Sequence, residues 1–238
     1  MSDSAMRSLH FDGMELAVRL KVHPRACRIV LRVDPQDASI DLVVPRGVRL
    51  AEAVAFARSK GEWIRRRIEA LPPKVPFVDG NVIPVLGCDR RIRHRGLRCA
   101  EARGAVWTEE PGELHVVGED AHLPRRIADW LKLQAREDFA RRARLFAETT
   151  GQEVRRVVVR DTRSRWGSCA VDGTLSFSWR LVHAPAFVID YVVAHEVAHL
   201  TEMNHGRHFW AVVDRLVPDS GRPRAWLRVK GGSLLRFG

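Results

Sequence analysis

The sequence predicts an α+β fold in two parts: a β-rich N-terminal domain over 1–120, and a domain over 121–238 in which one helix packs on a small antiparallel sheet. Three observations carry this. Short Val- and Ile-rich runs with period-2 alternation crowd the first half. Apolar residues at helical spacing dominate the second half. The composition changes near "GEDAHLP" (118–124), where Pro124 suits the first turn of a long helix.

In the first part, 15–22, 27–33 and 39–44 read as strands. "DPQDAS" between the last two is turn chemistry and predicts a hairpin. One helix is expected over 50–71, with Val54, Ala57, Ile64, Ile68 and Leu71 along a stripe, weakened at Gly61 and closed by Pro72-Pro73. "NVIPVLG", "RRIRHR", "GAVWT" and "ELHVV" follow as short strands.

In the second part a helix over about 124–149 offers Ile127, Trp130, Leu131, Ala135, Phe139, Leu145 and Phe146 as inner positions. "VRRVVVR" (154–160) and "TLSFSWRLV" (174–182) read as strands, paired antiparallel because "DG" at 172–173 favours a hairpin turn. The second of them is a candidate sheet edge for an extended peptide. Helices are then expected over 184–203, with Pro185 in the first turn, and over 206–218.

The net charge is +11, and only five of the 40 basic residues are lysines. Such a balance suits a polyanion partner, nucleic acid or nucleotide phosphate, yet the basic residues are scattered and form no stripe interleaved with aromatics. No apolar run reaches the roughly 18 residues of a membrane helix, and the opening "MSDSAMRSLHFDGMEL" has no leader pattern. A chain without membrane contact, in the cytoplasm, is the expectation. Cys27, Cys88, Cys99 and Cys169 form no C-x-x-C pair, which argues against a cysteine zinc knuckle and suits a reducing compartment. Cys169 in "RWGSC" is the one cysteine weighed as a nucleophile, against a structural role.

The chemistry concentrates in "VVAHEVAHLTEMNHGRHFW" (192–210), which holds four of the ten histidines. His195 and His199, four apart on a helix, stand one above the other about 6 Å apart along the axis. Two imidazoles so placed can converge on one ion. Glu196 points about 100° away from His195, too far round to be a third ligand but suited to act as a base on a water held by the ion. This is the H-E-x-x-H pattern in the helical context it requires. Glu202 lies too far along the axis to close the ligand set. His205 is the best third ligand, provided the helix stops first; Met203-Asn204 and Gly206 supply residues that tolerate a left-handed break. Arg163, Arg165, Tyr191 and His208 are candidates for contacting substrate or a developing oxyanion.

Together, "SRWGSC", "SFSWRLVHAP", "IDYVVAHEVAHL" and "NHGRHFW" resemble the YgjP-like metallopeptidase-like family, which is related to the SprT-like and other zincin proteases. The resemblance extends over about 20–232. It implies a zincin-like fold for the C-terminal part, Zn2+ held by His195, His199 and His205, and Glu196 as the catalytic acid/base. The histidine spacing equals that of metzincins, but Glu202 stands where they carry glycine. Gly206 stands where family members often have Ser, and Ser178 where Asn is common. The expected activity is a zinc-dependent hydrolase, a metallopeptidase acting on a peptide or protein through a zinc-bound water. Two alternatives stand beside it. One is a metal-dependent nucleoside triphosphate pyrophosphatase, for which Arg163 and Arg165 would read phosphate. The other is a nucleic-acid-binding module with structural zinc, against which the intact Glu196 argues.

Overall fold

The computed structural model describes residues 4–11, 14–99, 102–108 and 112–238, with side chains from residue 17 onward. Residues 1–3 and 12–13, within the opening stretch read for a leader, lie outside the described residues. The chain forms two compact units, 1–73 and 74–238. The boundary expected near 120 therefore falls inside the second unit.

In the first unit, β1 (Ser4–Phe11) pairs antiparallel with β2 (Met14–Val22). β3 (Val30–Val33) and β4 (Ile40–Val44) form the expected hairpin, and β4 runs parallel to β2. The helix expected over 50–71 is two helices, α1 (Leu50–Ser59) and α2 (Gly61–Glu69). Lys60, at φ −104 and ψ 14, breaks the run just before Gly61. Ala53, Ala57 and Ile64 are buried in one cluster with Val18, Ile40, Leu42 and Val44.

The second unit opens with β5 (Val82–Val85), β6 (Cys88–His94), β7 (Val106–Trp107) and β8 (Glu113–Val116), in the order β5-β6-β8-β7. Helix α3 (Leu123–Thr150) follows, with Pro124 in its first turn and Gly151 closing it in the left-handed conformation at φ 67. Its buried residues recur every four positions: Leu123, Ile127, Leu131, Ala135, Phe139, Ala143 and Ala147. That stripe runs on past the boundary expected near 120. One continuous core joins Ile83, Ile92 and Leu114 of the first sheet, through α3, to Leu175, Val193 and Phe209. Leu145, expected inside, is 53% exposed because it lies off the stripe.

The sheet that carries the site has the order β10-β11-β9, from β9 (Arg156–Arg160), β10 (Gly167–Cys169) and β11 (Thr174–Ser178). It corrects two expectations. β11 pairs parallel with β9, not antiparallel, so the sheet is mixed. The Asp172-Gly173 turn instead joins β11 to β10, a three-residue strand hidden in "RWGSC". β11 is consequently central rather than an edge. It also stops at Ser178, because Trp179–His183 winds into a 3-10 helix.

α4 (Ala186–Ala198) is apolar all round, with Val188, Ile189, Val192, Val193 and Val197 buried, the signature of a helix enclosed by protein. α5 (Arg207–Leu216) follows. A further helix, α6 (Gly221–Lys230), was not foreseen; Pro223 is tolerated in its first turn. Among the described residues there are thus six α-helices beside three small sheets, an α+β architecture. None of the described helices is long and apolar enough to cross a membrane.

His183 shows how tightly this core is built. It is 2% exposed, stacks on Phe237 at 4.3 Å, and bonds through Nδ1 to the Pro84 carbonyl at 2.7 Å. Burial lowers its pKa to about 4, with Arg180 adding to the shift and the Pro84 bond opposing it. The unfolded chain binds this proton near pH 6.5, the folded chain only near 4, so the associated stability is lost as pH falls through that window. Full expression of the shift is on the order of 3 kcal/mol. The stability gap between wild type and His183→Asn, read from urea melts, should narrow by about that amount from pH 7 to pH 4.

Candidate metal centre

α4 delivers the first part of the site from its last turns. His195 and Glu196 lie within it, and His199 is its C-cap residue, at φ −67 and ψ −18. The helix ends earlier than the expected 203. Backbone bonds from Leu200 to Val197 and from Thr201 and Glu202 to Ala198 close it. The reversal that follows uses no left-handed residue at Met203 or Asn204, and Gly206 is extended at φ −79. The break is therefore built by an early stop and not by left-handed backbone.

The reversal brings His205 back over the helix end. Ring nitrogens of His195, His199 and His205 lie within 4.8 Å of one another. Nε2 of His195 and Nε2 of His205 are 3.0 Å apart. Two nitrogens held tetrahedrally at 2.0–2.1 Å from one zinc would be separated by about 3.3 Å, so this spacing fits a shared ion. Nδ1 of His199 donates to the Glu202 carbonyl at 3.1 Å, which leaves Nε2 with its lone pair free to ligate. Glu202 thus serves through its backbone and not as a ligand.

Phe209, which is fully buried, forms the floor. Its ring centroid is 4.8, 4.5 and 4.6 Å from those of His195, His199 and His205. One aromatic plate touches all three imidazoles and limits how far any can turn. In the sequence Phe209 stands only as the Phe of "NHGRHFW", with no contact assigned to it. Its signal was its place four residues after His205, on the first turn of an amphipathic helix.

The electrostatics keep His195 and His199 neutral. The His195 pKa falls to about 4, first through burial and then through the repulsion that His199, His205 and Arg224 would exert on a charged His195. His199 is lowered too, by burial and by His205, against the Glu202 bond. Neutral imidazoles present the lone pairs a divalent cation needs. Glu196 is 6% exposed. Burial raises its carboxyl to about 7, while Arg165 and a bond from the Cys169 backbone pull the other way.

Gly167 is the second residue missed by sequence reasoning. A Cβ there would stand 2.5 Å from Oε1 of Glu196 and 2.6 Å from its Cγ. A glycine within a strand often marks such a close approach, and that was the available signal. Gly167→Ala must push the carboxylate aside while leaving the histidines untouched. On the reading of Glu196 as an acid/base group, the expected result is a loss of turnover of about 100-fold with metal content unchanged by elemental analysis.

The remaining candidates separate clearly. Arg165 lies near enough to act on Glu196, and it lines a polar cavity beside β10. Arg163 is exposed and does not line that cavity. His208 is exposed, and among the described residues no ring contact joins it to the three histidines. Tyr191 is buried, its ring centroid 5.9 Å from that of His195, and burial raises its phenol pKa. Cys169 has its thiol pushed up to about 11 by burial and by the charges of Glu196 and Asp172, the opposite of an activated nucleophile.

A family model described as the YgjP-like metallopeptidase domain matches residues 27–230. The chain belongs to the YgjP-like family. Comparison with curated proteins and with solved structures gives no match. The YgjP-like match takes in β10, α4 and the reversal that carries His205, and it supports a metal-dependent hydrolase.

Proposed function

We propose that this YgjP-like chain is a zinc-dependent metallopeptidase with a zincin-type centre, in which His195, His199 and His205 hold the ion and Glu196 is the general acid/base. The observation that carries this reading is the convergence of three imidazole ring nitrogens within 4.8 Å, next in sequence to a buried carboxyl poised near neutrality. Three imidazoles are the ligand set of a catalytic zinc that keeps one position open. Zinc held there supplies Lewis acidity and lowers the pKa of an attacking water toward about 7. Glu196 removes a proton from that water and passes it to the leaving amine, a role for which a carboxyl poised near neutrality is suited. The Cys169 N–H and the wall at Gly167 hold its oxygens in place.

β10 offers the substrate a backbone template. The bonds Ser178 N–H to Trp166 C=O and Ala170 N–H to Thr174 C=O fix which residues of this strand face β11. By alternation, the N–H and C=O of Gly167 and Cys169 point to the open side. The Cys169 N–H is taken by Glu196, which leaves Gly167 to pair with an extended peptide next to the acid/base group.

The test is a panel of unfolded protein, short peptides, nucleoside triphosphates and DNA, incubated with zinc-loaded protein with and without chelator. The reading expects chelator-sensitive cleavage of peptide bonds. Phosphate release with intact peptides would favour a nucleotide hydrolase instead. Salt-sensitive DNA binding without turnover of any substrate would favour a binding module.

A further inference from the structure

We infer that the polar cavity beside β10 is a specificity subsite that takes the carboxylate of an acidic substrate side chain; this rests on the peptidase reading above. The cavity, of about 330 Å³, is lined by Arg160, Thr162, Arg165, Ser168 and Ser176, with Gly167 and Phe177 at its base. Its polar lining comes from one face of the sheet. Ser168 pairs with Ser176, and Arg160 pairs with Ser178 two residues further along β11. Side chains paired across a ladder, and those two apart on a strand, share a face. Arg160, Ser176 and Ser168 are therefore neighbours on one side, and Thr162 and Arg165 border them from the loop between β9 and β10.

Two guanidinium groups and three hydroxyls make a strong donor set with little to receive it. Among the described residues no ion pair engages Arg160; Arg165 acts on the Glu196 carboxylate only from beyond ion-pair distance, and the Thr162 hydroxyl is used only on the Arg165 carbonyl. Two neighbouring arginines are engaged by contrast: exposed Arg155 pairs with Asp172, and buried Arg180 pairs with Asp161. An anionic group entering the cavity would gain charge-assisted, two-pronged hydrogen bonds.

The register says how a peptide delivers that group. A strand paired with Gly167 sets one residue opposite it, on the Glu196 side. The residues on either side of that one point to the opposite face, the face of Ser168 and Ser176. An acidic side chain one position from the residue facing Gly167 thus reaches the cavity while the backbone lies beside Glu196. Glutamate or aspartate is the anionic group that an extended polypeptide brings to such a place.

The test uses the full, zinc-loaded chain and peptide pairs that differ by Glu against Gln at one position, moved stepwise along the sequence. At a single position the Glu peptide should be cleaved with at least 10-fold higher kcat/KM. Arg160→Gln should reduce that ratio to below about 2, and Arg160→Glu should shift the preference to Lys. Urea melts of each variant control for folding. The same pairs are titrated onto Glu196→Gln protein by fluorescence anisotropy, where Glu peptides should bind at least 10-fold tighter in an Arg160-dependent way. Cleavage with no position-specific Glu preference overturns the subsite and leaves the peptidase reading standing. Binding with that preference but no cleavage by wild type supports the subsite and overturns the peptidase reading. Inorganic phosphate or triphosphate binding through Arg160, while peptides bind without preference, makes the cavity a phosphate site and overturns the inference.

Discussion

Glu196→Gln is expected to lower kcat by about 10³-fold or more while the protein keeps its zinc and its fold. The substitution is nearly isosteric. A glutamine still accepts the Cys169 N–H bond and still fits against Gly167, so the contacts around the side chain survive. What disappears is a group able to take and return a proton, which contributes about 10²–10⁴-fold in enzymes that depend on it. The same change has a second signature in metal-free protein. Burial raises the Glu196 pKa from about 4.5 to about 7 in the folded chain, so the folded state binds this proton more tightly than the unfolded state. Stability associated with the protonated carboxyl is present below about pH 4.5 and is lost as pH rises through 7. With chelator present, the glutamine variant should therefore be more stable than wild type at pH 8, by on the order of 2–3 kcal/mol. The difference should shrink toward pH 4.5. Kinetics and urea melts read the two effects independently. Full turnover in the variant would remove Glu196 from the chemistry.

His205→Ala is expected to weaken zinc binding by more than about 100-fold, above the loss typical for removing an outer partner of a ligand. His195 and His199 are held by α4 and by the Phe209 floor with or without His205. Two imidazoles on one helix can still bind zinc, but weakly. His205 supplies the third nitrogen from a separate segment, and its exposure means that little packing is lost on truncation. Competition with a zinc-responsive dye measures the change, and the urea midpoint without metal should stay close to wild type. An unchanged affinity would show that the third ligand lies elsewhere. Phe209→Ala should act differently, lowering the stability of metal-free protein by about 3–5 kcal/mol, because it opens a cavity under all three rings.

Much of this site was legible in the chain. The four-residue spacing of His195 and His199 needed only helical geometry, and the role proposed for Glu196 rests on its 100° offset. Legibility failed where partners are remote in sequence. The parallel pairing of β9 and β11 follows from the insertion of β10 between them, and three residues are too short a run to show a period. The antiparallel inference from Asp172-Gly173 identified the right turn and assigned it to the wrong strand pair. Likewise the early end of α4 comes from backbone bonds at Val197 and Ala198, which leave no trace in residue type. Gly167 and Phe209 were visible as residues but not as contacts, since each acts on a group from another element. The change in composition near 120 marks where α3 begins, while the core continues along it on both sides.

The most direct test is a crystal structure of zinc-loaded protein with an anomalous difference map at the zinc edge. The account predicts one strong peak, about 2.0–2.1 Å from a ring nitrogen of each of His195, His199 and His205. Zinc found only at the cysteines or at surface carboxylates, with the three rings turned apart, would contradict it.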